Sequence, residues 1–437
     1  MPIAISPERP RSGVTRLTGG RLVKGNELVD EDLWISSVTG KILHSQEVFY
    51  THHVTPDKVV DLKGKVLAPG FLDVQFNGAF GFDFSTIPDD MATYHKGLRR
   101  LNRHLVRTGV TSYLPTLPSQ KPEVYQNALP YLGPSGKQRN PLDGSESLGA
   151  HCEGPFISPT KIGIHSPEVR QDAPNGFSDF EECYGAENLP YLGSGLRSPI
   201  TMITAAPEVE GVASAIPQIT QRGIKFSIGH TEANFEEATA AIQQGATMIT
   251  HLFNAMRPLH HRNPGVFGVL GATGSKERPY FGIISDGIHL HPTTVKIAWN
   301  AHPEGFILVT DAMKVVGLPD GVYNWTNGDR WVKKGSLLTR EGTDKIAGSS
   351  ATLIECVSNF WTWSNATIPE VVRSVTSTPA DMLGLSHVKG TLSPGGDADL
   401  LVLDAQELAD GTKTLTVEKV WKFGTLVHDA LDESVGI

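Results

Sequence analysis

Apolar and polar residues follow two rhythms along this chain. From residue 14 to 67 the rhythm is short. VTRLTGGRLVKGNELVDEDLWISSVTGKIL alternates apolar and polar positions, broken by Gly-Gly, Gly-Asn and Thr-Gly. That pattern predicts short strands joined by tight turns. The same rhythm returns from Gly390, in GTLSPGGDADLLVLD and LTVEKVWKFGTLVHD. Two β-rich ends around a different middle predict one small β-sandwich domain built from both termini, residues 1–67 with 390–437.

The middle, residues 68–389, changes character at Leu67-Ala68-Pro69-Gly70. Eight apolar runs read as strands: Phe71 to Phe76, Thr111 to Leu117, Leu148 to Phe156, Ile200 to Ala205, Lys225 to His230, Met248 to Leu252, Phe281 to Ser285 and Phe306 to Thr310. Between them lie helical patterns. One is MATYHKGLRRLNRHLVRTG, with Leu98, Leu101 and Leu105 on one face; another runs from Glu236 to Gln244 and stops at Gly245. Eight β/α alternations over about 250 residues predict an α/β fold, a (β/α)8 TIM-like barrel. An open doubly wound sheet is the alternative, but no GxGxxG follows the first strand. Pro130 to Glu146 and Gln171 to Ser198 read as surface loops from their polar composition. Val315 to Lys345 reads as β-hairpins placed after the eighth strand, near the mouth of the barrel.

Composition narrows the class. At 39% hydrophobic and 19% charged, the chain matches an ordinary globular protein. A formal net charge of −9 without a compensating basic stripe argues against nucleic acid as a partner. No apolar run approaches the length of a membrane span. Cys152, Cys183 and Cys356 show no CxxC or paired spacing, which predicts a reducing compartment. The polar, Pro-rich start MPIAISPERPRSG has no apolar leader pattern. The default expectation is the cytoplasm.

Chemistry on such a barrel sits at the C-terminal ends of the strands. In order, those ends offer Asp73, Gln75 and Asn77; His151 and Glu153; His230; His251; Asp286 and His289; and Asp311. His230 and His251 close two strands joined by a helix, so a right-handed crossover brings them to the same side. Glu153, His230 and His251 form a set of one carboxylate and two imidazoles. Three protein ligands leave a position open for water, as hydrolytic metal sites require. Asp311 is the free carboxylate at the last strand end, suited to general acid/base work or to capping a helix.

Those residues sit in a run of motifs: LAPGFLDVQFNGAFGFDFS, HCEGPFISPTKIGIHSPEVR, GHTEANFEEATAAIQQGATMITHLFNAM, SDGIHLHP, LVTDAM, AGSSATLIE and TLSPGGDADLLVLD. Together they resemble the amidohydrolase superfamily and, within it, the branch that removes the acetyl group from N-acetylglucosamine 6-phosphate. The Asp-Leu-Trp near the N-terminus looks like the eukaryotic members. The resemblance implies that Glu153, His230 and His251 hold a metal and that Asp311 is the catalytic acid/base. It implies substrate contacts at Ile164, His165, Asn254, Ala255, Arg262, Asp286 and His289. It also implies a loop, Ile346, Ala347, Gly348 and Ser349, that closes over the sugar phosphate. The arginine matching Arg262 reaches into a partner subunit's site, so a homodimer is expected.

One departure from the wider superfamily carries weight. Its first strand often reads His-x-His; here it is Gln75-Phe76-Asn77, and no lysine stands in the fourth-strand run ITMITAAPE. The ligands for a second metal are therefore missing, and Gln75 is expected beside the water of a single divalent ion. Zn is first in line, and Fe, Co and Mn also suit the donor set. A cyclic-amide hydrolase such as a dihydroorotase, and a barrel that has lost catalysis, are the competing functions.

Overall fold

A computed structural model describes residues 12–51, 53–271, 278–325, 328–432 and 434–435. Residues 1–11, which make up most of the stretch MPIAISPERPRSG and the start of the expected β domain, lie outside the described residues.

The eight predicted strands are present and pair in sequence order, all parallel. They span Phe71–Phe76, Val110–Pro118, Ala150–Glu153, Ile200–Ala205, Lys225–Ile228, Met248–Ile249, Tyr280–Ile284 and Phe306–Val309. They are buried almost throughout, which is why they read as apolar runs rather than as alternations. Val74, Leu114, Met202, Met248, Ile284, Ile307 and Val309 fill part of the interior, joined by Met382 from the helix Ser377–Leu383.

The seam between first and eighth strands is closed by different bonds. The Asp311 amide donates to Gln75 O at 2.9 Å, and the Asn77 amide to Ala312 O at 2.8 Å. Below them, the Thr310 hydroxyl donates to Asp73 Oδ2 at 2.6 Å. The barrel is thus tied shut at the level where the chemistry is expected.

The outer helices follow from local signals. In Met91–Leu105, Asp90 caps the first turn by accepting from the Ala92 amide, and Tyr94, Leu98, Leu101 and Leu105 form the buried face. Phe235–Gln243 starts on a capping box between Asn234 and Glu237. It ends before Gly245, whose φ of 118° no side-chain-bearing residue adopts easily.

Two expected loops are partly structured. Gln171 to Ser198 contains the helix Phe177–Tyr184, with Phe177, Phe180, Cys183 and Tyr184 buried. Phe156 stacks on Phe180 at 4.0 Å between ring centroids. The segment's acidic composition describes only its outer face. Pro130 to Glu146 includes the last turn of the helix Pro122–Leu132 and two short 3-10 turns, and its Glu146 is buried.

Both ends of the chain build the remaining sheets. A four-stranded sheet contains Val14–Thr18, Leu33–Ser36, Lys41–Leu43 and Lys58–Asp61. A six-stranded sheet joins Arg21–Lys24, Glu27–Asp30 and Val66–Pro69 to the C-terminal strands Leu400–Glu407, Lys413–Lys422 and Thr425–Asp429. Their shared core includes Leu17, Ile35, Leu67, Leu400 and Trp421. The boundary drawn between residues 67 and 68 falls inside the strand Val66–Pro69, which runs through Gly70 into the barrel. A Cβ at Gly70 would meet the Thr111 hydroxyl at 2.1 Å, so only glycine fits this passage.

Carboxylates and lysines knot the β sheets to the barrel. Lys422 Nζ lies 2.6 Å from Glu146 Oε1 and 2.8 Å from Asp399 Oδ2, and Lys389 Nζ contacts Glu146, Asp397 and Asp399. Arg139 and Lys41 reach Asp397 from outside at 2.8 and 2.7 Å. The three buried acids converge closely enough to hold a metal. Two ammonium groups already sit among them, so this is an ion-pair cluster. Among the described residues, no helix is long and apolar enough to cross a membrane.

Candidate active site and metal centre

Glu153, His230, His251 and Asp311 stand at or just beyond the C-terminal ends of the third, fifth, sixth and eighth strands. The last three have positive φ, 49°, 28° and 48°. A side-chain-bearing residue pays strain for that conformation, and here each turns the chain sharply at the rim of the barrel. Phe253 and Ala255 share it. Half of the ten non-glycine residues with positive φ among the described residues thus lie in this one region.

Three donor atoms converge. Glu153 Oε1 lies 3.2 Å from His230 Nε2 and 3.0 Å from His251 Nε2, and the two Nε2 atoms are 3.1 Å apart. His230 Nδ1 lies 2.8 Å from the Lys161 carbonyl, which can only accept. The Nδ1 proton is therefore committed there, and Nε2 faces the carboxylate, where it either donates a second proton as an imidazolium or offers its lone pair to a cation shared with Glu153. A divalent metal fits this donor set, with the Lys161 carbonyl fixing the imidazole tautomer as in outer shells of metal sites. Burial pushes the Glu153 carboxyl up, but the two imidazoles more than offset it and hold it well below the usual range. Gln75 Nε2 donates to the same Oε1 at 3.0 Å.

A cavity of about 240 Å³ opens over these atoms. Of the expected substrate contacts, Ile164, His165, Asn254, Ala255, His289, Ile346 and Gly348 line it. His165 is buried, its Nδ1 2.7 Å from the Ser119 hydroxyl and its ring 4.4 Å from that of His230. Burial, and then the neighbouring His230, push its pKa down to about 3, so it is a neutral ring. His289 Nδ1 lies 2.6 Å from Asp286 Oδ2. Asp286 thus acts behind the wall: it orients His289 and leaves Nε2 for a ligand. Asn254 Nδ2 is buried without a partner among the described residues.

The rest do not line this cavity. Ala347 and Ser349 are buried behind it. The Ser349 amide donates to Asp311 O at 3.1 Å and the Met313 amide to Ser349 O at 2.9 Å, strapping the loop 346–349 to the end of the eighth strand. Gly348, with φ 67°, crosses where a Cβ would meet Met313 at 2.7 Å. Arg262, with His260 and His261, is exposed and does not line the cavity. No lysine or arginine lines the cavity among the described residues.

Asp311 faces Glu153 and His251. Burial, followed by the charge of Glu153, pushes its carboxyl up to about 6, against the pull of His251, His289 and Asn77. Asn77 Nδ2 donates to Asp311 Oδ1 at 2.7 Å. Asn77 is named at the first strand end in the sequence but given no role there, whereas Pro118, Gly163, Ile284 and Met313, which also line the cavity, are not foreseen. For Asn77 a signal existed: it occupies the second polar position of Gln-x-Asn at the first strand end.

Comparison with known proteins agrees with this geometry. The amidohydrolase family pattern matches residues 66–427. The N-acetylglucosamine-6-phosphate deacetylase of Danio rerio is 40% identical over 398 residues, 90% of this chain and 93% of that protein. The Homo sapiens enzyme of the same name is 37% identical over 417 residues, 94% and 96% of the two chains. Among solved structures, a variant of the Mycobacterium smegmatis N-acetyl-D-glucosamine-6-phosphate deacetylase, in complex with N-acetyl-D-glucosamine-6-phosphate, superposes with a TM-score of 0.76. It is 28% identical, and the match covers 95% of this chain and 99% of that one.

Proposed function

Because this chain belongs to the amidohydrolase family, within the group of N-acetylglucosamine-6-phosphate deacetylases, we propose that it hydrolyses the acetamide of N-acetylglucosamine 6-phosphate. The products are glucosamine 6-phosphate and acetate. The observation that carries this reading is the meeting of Glu153 Oε1 with two imidazole Nε2 atoms under a cavity that also holds Asp311.

Family and donor set together support a divalent metal. We assign it to Glu153, His230 and His251, one ion per chain, zinc before iron, cobalt or manganese. Bound there, such an ion lowers the pKa of water and polarises the amide carbonyl. Asp311 takes the proton released as water attacks, then gives it to the departing nitrogen, which leaves only as an amine. Gln75 steadies the shared Glu153 oxygen. His165, Asn254, Ala255 and His289 hold the sugar phosphate, beneath the loop 346–349.

A phosphate needs a cation, and among the described residues the cavity wall offers no lysine or arginine. Exposed Arg262 therefore suits a cross-subunit role: in a homodimer it completes the partner's phosphate pocket with two parallel hydrogen bonds. Free, buried cysteines suit a cytoplasmic protein.

The test is acetate release from a panel: N-acetylglucosamine 6-phosphate, its galacto epimer, and both sugars without phosphate. Rapid release from the first and poor release from the unphosphorylated pair is expected. Equal rates across the panel would remove the phosphate from the substrate, and no release would remove the deacetylase reading.

A further inference from the structure

Asn77 has a buried side chain that its own strand does not need. The main chain there is held independently, the Asn77 amide donating to Ala312 O at 2.8 Å and the Phe84 amide to Asn77 O at 3.4 Å. The side chain has one hydrogen bond among the described residues, from Nδ2 to Asp311 Oδ1 at 2.7 Å. An ionised carboxylate oxygen only accepts, so this contact fixes the amide: nitrogen toward Asp311, oxygen away. That oxygen is buried and has no partner among the described residues. A buried, unpaired carbonyl carries a desolvation penalty, whereas an apolar residue of the same shape carries none. The amide is therefore retained for its donor half, and that half touches only Asp311.

Asp311 needs such a partner. Its backbone sits at φ 48°, and among the described residues no other side chain is hydrogen-bonded to its carboxylate. Left to itself, a carboxylate can turn about its last bond and exchange its two oxygens.

Resting on the deacetylase reading above, we propose that Asn77 is the positioning residue of Asp311. It pins Oδ1 and leaves Oδ2 as the one oxygen that exchanges the proton. As the water oxygen bonds to the acetyl carbon, its proton passes to Oδ2. As the C–N bond breaks, the same proton passes from Oδ2 to the nitrogen. Both transfers use one atom in one place, so the geometry of attack also serves departure.

The test is Asn77→Leu, which keeps the shape and removes both the donor and the orphaned acceptor. Its unfolding midpoint should fall by no more than a few degrees, since removing the orphaned acceptor offsets part of the cost of leaving Asp311 Oδ1 without its donor. Its kcat should fall roughly 10- to 100-fold, the loss expected for a misplaced catalytic group, with KM within about 3-fold. Placed in an Asp311→Asn background, the same change should cost nothing further, because the group it positions is gone. Unchanged kcat, a loss carried by KM alone, or a full additional loss in the Asp311→Asn background would each overturn the proposal. If the leucine variant fails to fold, Asn77→Ala is read by the same criteria. Wild-type acetate release separates the two readings. None from the wild type sinks the function itself, whereas normal wild-type release with an undiminished Asn77→Leu sinks only the positioning role.

Discussion

Gln75 Nε2 donates to Glu153 Oε1 at 3.0 Å, and that same oxygen faces both imidazole Nε2 atoms. Where relatives of this barrel often place a histidine, this chain has an amide that donates and holds the carboxylate oxygen. Gln75→Leu removes the donor at similar volume. It should weaken metal binding roughly 10- to 100-fold, the usual cost of losing an outer-shell partner. Competition against a chromophoric chelator measures this, and unchanged affinity would show that Glu153 holds its place without Gln75.

Asp311→Asn keeps the shape and removes the proton acceptor. Turnover should drop roughly 10²-fold or more while metal content and unfolding midpoint stay near wild type. Near-normal turnover in that variant would return Asp311 to a role at the turn after the eighth strand.

The strands and four central residues were legible in the sequence because parallel strands buried on both faces leave unbroken apolar runs, each ending in its polar residue. Other parts hid for physical reasons. The helix Phe177–Tyr184 lies in an acidic stretch whose charges are all on its solvent face; Phe177, Phe180 and Tyr184 at helical spacing were the overlooked signal. Gly348 and Ser349 looked alike as loop residues, yet only the structure shows one at the cavity and the other behind it. The lysine–carboxylate cluster joins Glu146 to Lys422 across a separation of 276 residues, which no local pattern reports.

That cluster predicts a pH dependence of stability. Burial pushes Asp399 up, but Lys389 and Lys422 more than offset it and hold the carboxyl well below its ordinary range. Asp397 is held low as well, chiefly by Lys389 against its own burial. Because folded Asp399 and Asp397 resist protonation more than the unfolded chain does, their stabilisation is present above about pH 5. It fades as pH falls through the ordinary carboxyl value, about 3.9, toward the lower folded values. Lys422→Met should cost about 3–5 kcal/mol at neutral pH by stranding buried charge. Denaturant unfolding of both proteins at a series of pH values measures this, and the gap between them should narrow in acid. A constant gap would mean that the lysine contributes by packing alone.

Arg262→Ala should raise KM for the 6-phosphate substrate, a loss of roughly 1.5–3 kcal/mol for a charged hydrogen bond. It should matter little for unphosphorylated N-acetylglucosamine. Steady-state kinetics on both sugars, with sedimentation at assay concentration, checks the two halves of the idea. Equal losses on both substrates would make the arginine structural, and a fully active monomer would remove the cross-subunit contact.

The most direct measurement is acetate release from N-acetylglucosamine 6-phosphate by chelator-stripped protein as a divalent ion is added back. The stripped chain should release none, and activity should climb linearly to a plateau at one equivalent per chain. A plateau at two equivalents, or full activity in the stripped protein, would contradict a single metal held by Glu153, His230 and His251.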